Sequence, residues 1–188
     1  MGIDVGNVLH IKINHVDDNG KIRSVYIGTL PYSDSMEEIR EIKMLWKQFR
    51  CKAGVIDGMP EIRLARRMCA QIPGFFRWQH VEGTKDIADI QSKIVKTERN
   101  LLLDDVKESI ITQKLVLPKN AKRIGKITDK TKGLNEYYDN MTAPVRTWDQ
   151  DRNKGRGAYI WKETRPDHFA FAEGYAILAK NVLISLGG

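Results

Sequence analysis

Two strand patterns joined by a tight turn open this chain, and they restrict the possible folds more than any other feature. The segments VLHIKINHV (8–16) and IRSVYIGTL (22–30) flank DDNG, whose composition is a strong hairpin signal. Helix and strand patterns then alternate, in SMEEIREIKMLWKQF (35–49), AGVIDG (53–58), PEIRLARRMCAQI (60–72) and FFRWQHV (75–81). An antiparallel pair followed by alternating helices and strands predicts an α/β domain with a mixed central sheet flanked by helices.

The second half of the chain is more polar and predicts a separate, late β-hairpin. Two strand patterns in APVRTWDQDRNKGRGAYIWKE (143–163) enclose a polar tip that contains glycines. We expect helices in the segments TERNLLLDDVKESIITQ (97–113), LNEYYDNM (134–141) and PDHFAFAEGYAILAKNVLIS (166–185). The basic stretch KNAKRIGKITDKTK (119–132) should be mostly loop.

The composition is that of one globular domain. The chain has 188 residues, enough for a single well-packed domain, and a net charge of +7 that favours a polyanionic partner. Cys51 and Cys69 are too few for a disulfide framework or a zinc site. No apolar run has the length of a membrane span, and no signal-peptide pattern precedes the first strand. These features predict an intracellular protein, and a strand that begins directly after Met1 suggests a domain of a longer chain.

Three aspartates are the candidates for chemistry. Asp4 lies in the first strand, on the face opposite to Ile3 and Val5. Asp57 ends the strand in AGVIDG, and Asp167 begins the last helix. A buried charge costs free energy, and clustered carboxylates stay ionised only around a cation. Carboxylate oxygens suit Mg²⁺ or Mn²⁺, so we predict a catalytic metal site, with two ions, at Asp4, Asp57 and Asp167.

Each aspartate also has a purely structural explanation. The helix dipole would favour Asp167 in a first turn, and Asp57 before Gly58 is a common strand-to-turn pair. Asp4 is the hardest to explain in this way, because it lies early in an apolar strand. His168 could orient a water or contact a phosphate, but hydrogen bonding near a helix start would explain it as well.

The order of elements, with Asp4 in GIDVG and Asp57 in GVIDG, resembles that of the ribonuclease H-like nucleases. More narrowly, the chain resembles the C-terminal nuclease domain of the large terminase subunit of tailed bacteriophages. VKTERNLLLDDVKESIITQKLVLP resembles that family's basic residue, helix and strand ending in Leu-Pro. The late hairpin resembles one that these nucleases place beside the active site, and RPDHFAFAEGYAILA resembles their closing Asp-His motif. The resemblance spans essentially the whole chain.

The resemblance implies an endonuclease that cuts concatemeric viral DNA when packaging starts and when it ends. It implies one ribonuclease H-like domain over residues 1–188, with Asp4, Asp57 and Asp167 as the metal-binding triad. It also implies a longer protein with an N-terminal packaging ATPase domain, working with a small terminase subunit and a portal in the cytoplasm of an infected bacterium. No GxxxxGK[ST] motif is present, so this chain should cut DNA without translocating it.

Three groups of basic residues are candidates for contact with double-stranded DNA: Arg63, Arg66 and Arg67; Lys119, Lys122, Arg123 and Lys126; and Arg152, Lys154 and Arg156. The hairpin tip with Arg152, Lys154 and Arg156 ranks first, because its glycines suit close approach to phosphates. A solvated surface is the alternative explanation for each group. No interleaved aromatic pattern predicts base stacking, so we expect largely sequence-independent contacts.

Three other functions fit parts of the sequence. A Holliday-junction resolvase or recombinase would use the same fold, but the late hairpin and the KLVLP segment favour a terminase. GIDVGN also resembles the first phosphate loop of actin-like and sugar-kinase ATPases, yet the chain is too short for their two domains, and its Gly-Gly pair is terminal. A catalytically silent nucleic-acid-binding module is disfavoured because all three acidic positions are filled.

Overall fold

A mixed sheet lies at the centre of the computed structural model, which describes residues 1–33, 36–83, 87–129 and 134–187, without the side chains of residues 129, 134, 153 and 154. Its strands are β1 (Gly2–Val5), β2 (Val8–Val16), β3 (Ile22–Pro31), β4 (Gly54–Asp57), β5 (Phe75–His80), β6 (Ile87–Asp89), β7 (Ile94–Thr97) and β8 (Leu115–Val116). Within the described ranges, these eight strands lie in the order β6-β7-β5-β4-β1-β2-β3-β8. The mixed sheet that the sequence predicts is therefore confirmed.

The directions of the strands follow from the connections between them. β2 pairs antiparallel with β1, to which residues 6–7 connect it, and with β3, to which the turn at DDNG connects it. β4 runs parallel to β1, and β5 runs parallel to β4, because a helix crosses over between successive strands. Two short strands, β6 and β7, were not predicted, since segments of three and four residues carry little periodicity.

Successive side chains along a strand point to opposite faces of the sheet, and each face is covered by its own helices. Ile3 and Ile56 face α1 (Glu37–Gln48) and α2 (Ile62–Gln71), where they join the first part of the apolar core. Residues of the opposite parity, such as Val55, face α3 (Arg99–Ile111) and α6 (His168–Ser185). Asp4 has this second parity, so its carboxylate points toward the α6 layer, as predicted.

The helix α6 lies directly against β1 because both surfaces lack large side chains. A Cβ added to Gly2 would lie 2.1 Å from the carbonyl oxygen of Ala172 and 2.3 Å from the backbone nitrogen of Ala176. The small residues of this helix therefore permit the close packing that the sequence predicts. Although α6 has 18 residues and is mostly buried, neither it nor any other helix in the described ranges is long and apolar enough to cross a membrane.

Shorter elements connect α3 to α6. They are β9 (Ile127–Asp129), β10 (Leu134–Asn135), α4 (Glu136–Met141), β11 (Pro144–Asp149), α5 (Arg152–Gly155) and β12 (Ala158–Glu163), with a 3-10 turn at Ala121–Arg123. β11 and β12 form the predicted late hairpin, which is a two-stranded sheet separate from the central one. Its tip contains one helical turn, α5, where the sequence predicts only a polar loop.

A fully buried ion pair joins α6 to the central sheet. The ammonium of Lys12 on β2 lies 2.9 Å from the carboxylate of Glu173, and both side chains are completely buried. Lys12 also donates to the hydroxyls of Ser24 (2.6 Å) and Tyr137 (3.0 Å), and the amide of Asn14 donates to Glu173 (2.5 Å). Burial acts to lower the pKa of Lys12, but the charge of Glu173, the Tyr137 hydroxyl and the hydrogen bonds to both together outweigh it, and the pKa is raised. The raised pKa favours the charged form of Lys12, and removing either partner alone would leave the other buried and uncompensated.

We expect Gly2→Ala to destabilise the protein strongly, because the added methyl group would meet the backbone of α6 rather than a movable side chain. The free energy of unfolding, from urea denaturation, should fall by about 3 kcal/mol. Gly6→Ala is the matched control, since its Cβ would meet no atom closer than 3.8 Å. Equal stability of the two variants would contradict the close packing described here.

Candidate active site

The first two predicted aspartates lie side by side at one edge of the sheet. β1 and β4 are parallel neighbours, with Gly2 opposite Val55 and Ile3 opposite Ile56. One step further along this register, Asp4 and Asp57 occupy corresponding positions where both strands end. Each aspartate has the parity of the α6 layer, so the two carboxylates share one face of the sheet.

The third aspartate reaches the same place through the packing of α6. Asp167 occupies the N-cap position of this helix, but its carboxylate makes no capping hydrogen bond. Instead it lies 3.4 Å from a guanidinium nitrogen of Arg99, the first residue of α3. The negative charge of Asp4 acts on both Asp57 and Asp167. The structure therefore brings all three predicted aspartates into one cluster.

Burial and neighbouring negative charges raise the pKa of two of these carboxyl groups, those of Asp57 and Asp167. Burial raises the pKa of Asp57 to about 7, and the charge of Asp4 adds to the effect despite a hydrogen bond from the backbone N–H of Met59. Burial, Glu163 and Asp4 together raise the pKa of Asp167 to about 6, although Arg99 opposes this. A cation bound here would favour the ionised form of both carboxyl groups, which burial disfavours.

A chain of side chains extends from Asp4 toward α4. Nδ1 of His168 lies 2.8 Å from the carboxylate of Asp4, and this hydrogen bond raises the pKa of His168. The ring of His168 stacks on that of His10, with 4.6 Å between centroids and 15° between planes. Nε2 of His10 lies 3.5 Å from Glu136 at the start of α4. His10 is only 4% exposed, and among the described residues its Nδ1 has no hydrogen-bond partner.

The donor atoms at this edge fit a divalent cation. Within the described part of the chain, Asp4, His10 and His168 each offer a ligand atom, and these atoms lie within 4.8 Å of one another. Asp57 and Asp167 add carboxylate oxygens beside them. Oxygen donors suit Mg²⁺ or Mn²⁺, and the orphaned imidazole nitrogen of His10 adds a donor of the kind that softer divalent metals accept.

The predicted DNA contacts lie outside this cluster. Arg152 at the hairpin tip pairs with Glu82 at 3.3 Å, and both side chains are largely exposed. Arg156 is exposed as well, whereas the side chain of Lys154 lies outside the described residues. Arg63, Arg66 and Arg67 are exposed on α2, which packs on the face of the sheet opposite to Asp4 and Asp57. Their roles in binding remain predictions.

Comparison with known proteins bears on the fold. No family model matches the sequence, and the comparison with curated proteins gave no match. Among solved structures, this chain is similar to the large terminase nuclease from the thermophilic phage G20c, with a TM-score of 0.57 and 12% sequence identity. The alignment covers 93% of this chain and 78% of the terminase nuclease chain. The fold is ribonuclease H-like. RuvC from Thermus thermophilus aligns over 99% of this chain and 95% of the RuvC chain, with 15% sequence identity. Its TM-score of 0.33 is too low to support an argument.

Within this ribonuclease H-like fold, several residues of the cluster were not identified from the sequence. Arg99 occurs in the quoted segment VKTERN, but nothing local indicates that it reaches Asp167, 68 residues later. The hydroxyl of Tyr175, which is fully buried, hydrogen-bonds to Asp57. His10 and Glu136 are separated by 126 residues. Only the three-dimensional packing of α3, α4 and α6 reveals these partners.

We expect the stability gained by Asp57→Asn in the metal-free protein to depend on pH. Asp57 releases its proton near pH 4 when the chain is unfolded but near pH 7 when it is folded. Between these values the unfolded state binds fewer protons, so the wild type loses stability as pH rises. Asparagine removes this loss, so the variant should gain on the order of 2–4 kcal/mol at about pH 8 and much less at about pH 4.

Thermal and urea denaturation with EDTA at the two pH values would measure this difference. Asp18→Asn is the control, because Asp18 is exposed in the turn between β2 and β3. A gain that is the same at both pH values would contradict the raised pKa of Asp57.

Proposed function

We propose that this chain is a metal-dependent endodeoxyribonuclease that hydrolyses phosphodiester bonds of double-stranded DNA with little sequence specificity. The observation that carries this proposal is the cluster of Asp4, Asp57 and Asp167. These residues come from three separate elements, and burial together with the charge of Asp4 raises the pKa of both Asp57 and Asp167. Their ribonuclease H-like fold matches that of a large terminase nuclease, which adds support from another direction.

The three aspartates would hold two Mg²⁺ or Mn²⁺ ions, which activate a water and stabilise the leaving oxygen in phosphodiester hydrolysis. Asp4 would be held in position by the hydrogen bond from His168, and Asp57 by those from Met59 and Tyr175. No protein nucleophile is needed for such a reaction.

Arg99 is the basic residue best placed to contact a phosphate at this cluster. Its guanidinium packs over the ring of Phe171, 4.5 Å from the centroid, and its side chain remains 45% exposed. One guanidinium nitrogen contacts Asp167, at 3.4 Å, and the guanidinium has further N–H donors that could reach a phosphate. Arg99 would therefore orient the DNA backbone and offset part of its charge.

We further propose that the cleavage serves packaging of viral DNA. Under this proposal the chain is the nuclease domain of a longer protein with an N-terminal ATPase domain. It would act on concatemeric DNA in the cytoplasm of an infected bacterium, with a small terminase subunit and a portal as partners. The fold match to a terminase nuclease and the late hairpin support this role.

The nuclease proposal is tested with supercoiled plasmid DNA and Mg²⁺, Mn²⁺ or EDTA. We expect cleavage with at least one of the metals and none with EDTA. Asp4→Asn, Asp57→Asn and Asp167→Asn should each reduce the rate by about a hundredfold or more, because each loses one ligand charge. Asp18→Asn should cut like the wild type. Near-normal cleavage by the three site variants would refute the assignment, and selective symmetric cleavage of a four-way junction would favour a resolvase.

A second test concerns the hairpin tip. If Arg152, Lys154 and Arg156 contact phosphates, replacing all three with alanine should weaken duplex binding and reduce the slope of log Kd against log salt by about 2–3. The melting temperature should not change, because the ion pairs of Arg152 are exposed and contribute little to folding. Replacing Arg63, Arg66 and Arg67 on α2 provides the comparison. If only the α2 variant loses affinity, DNA binds on that helix and not at the hairpin tip.

A further inference from the structure

The late hairpin presents two large aromatic side chains to solvent on one face. Trp148 on β11 and Tyr159 on β12 are opposite each other in the register. They are 53% and 58% exposed, and their rings lie 5.1 Å apart in an edge-to-face contact. Side chains this large are normally buried, and a stable hairpin does not require them to be exposed.

Neighbouring residues hold these rings in place. A Cβ added to Gly157 would lie 2.1 Å from the indole of Trp148, so the indole rests directly on the glycine backbone. The guanidinium of Arg146 lies 5.2 Å from the centre of the Tyr159 ring. Arg146 is itself paired with Asp104 on α3, at 3.5 Å. The two rings and the guanidinium therefore form a supported surface, here named the aromatic platform (Arg146, Trp148 and Tyr159).

The aromatic platform lies on the side of the hairpin nearest the start of α3. The backbone N–H and indole N–H of Trp161 donate to Asn100 and Asp104, which anchors the base of the hairpin on α3. At the other end, Arg152 reaches Glu82 in the segment after β5. Arg99, at the start of α3, contacts Asp167 of the acidic cluster. The hairpin thus lies across α3 beside the proposed catalytic edge.

The charges around the aromatic platform favour nucleic acid over protein as its occupant. Residues 144–163 contain five basic side chains and three acidic ones, a local excess of two positive charges (5 − 3 = 2). Exposed aromatic rings combined with arginine are the features that bind unpaired bases, because each base stacks on a ring while its phosphate meets a cation. Bases within an intact duplex are already stacked on each other and cannot use such a surface.

We propose that the aromatic platform stacks unpaired bases, so that this nuclease binds DNA with a single-stranded or frayed segment more tightly than intact duplex. This proposal builds on the proposed nuclease function and defines its substrate. It departs from the sequence-based expectation, in which no interleaved aromatic pattern predicts base stacking. Trp148 and Tyr159 are 11 positions apart in sequence, so only the strand register brings them together.

The test measures binding by fluorescence anisotropy in EDTA, where no cleavage occurs. The probes are a labelled oligothymidylate of about 16 nucleotides, an intact duplex of equal length, and an abasic strand that keeps the phosphates but lacks bases. Trp148→Leu should weaken oligothymidylate binding roughly tenfold and leave binding of the abasic strand unchanged. Trp148→Phe should restore most of the affinity, because it retains an aromatic ring.

Tyr159→Leu provides an independent second variant, and Val145→Ala is the matched control. Val145 is 43% exposed on the opposite face of the same hairpin. Melting temperatures identify any variant that has lost its fold. If both leucine variants bind oligothymidylate as the wild type does, the proposal is wrong and a protein partner becomes the occupant to test. An equal loss for the abasic strand would also refute stacking. Wild-type protein that binds in this way but cuts no plasmid would refute the nuclease function alone.

Discussion

The close contact between α6 and β1 is the constraint on which the site depends. At Gly2 the helix backbone occupies the space where any side chain would lie, and two turns of small residues allow it. The buried pair of Lys12 and Glu173 fixes this helix on the sheet, since neither charge has access to water. As a result, α6 begins beside Asp4. Asp167 and His168 therefore reach the edge of the sheet through packing that occurs elsewhere along the helix.

The position of the three aspartates could be predicted, because it depends on local patterns. Alternation in β1 placed Asp4 away from Ile3 and Val5, and β4 was recognised from its short apolar run. The turn at DDNG and the small residues of the last helix then limited how these elements could pack. The late hairpin was also predicted, although α5 at its tip was not. Each correct prediction used residues that are close together in sequence.

The surroundings of the aspartates could not be predicted, because they depend on long-range packing. His10 alternates correctly within β2, but nothing near it indicates that its ring stacks on His168 or that Glu136 lies behind it. Arg99 is one of many basic residues, and only the packing of α3 against α6 brings it to Asp167. The pairing of Trp148 with Tyr159 likewise depends on strand register, which the tip sequence does not determine.

The late hairpin has its own two-stranded sheet, hydrogen-bonded separately from the central one. It is attached to the rest of the molecule mainly through side chains. Trp161 and Arg146 of the hairpin contact Asp104 on α3, and Arg152 at the tip contacts Glu82 in the segment after β5. Changes in its length or composition therefore do not alter the register of the strands that carry Asp4 and Asp57. A protein engineer could therefore graft a different appendage onto the same scaffold while the acidic cluster stays in place.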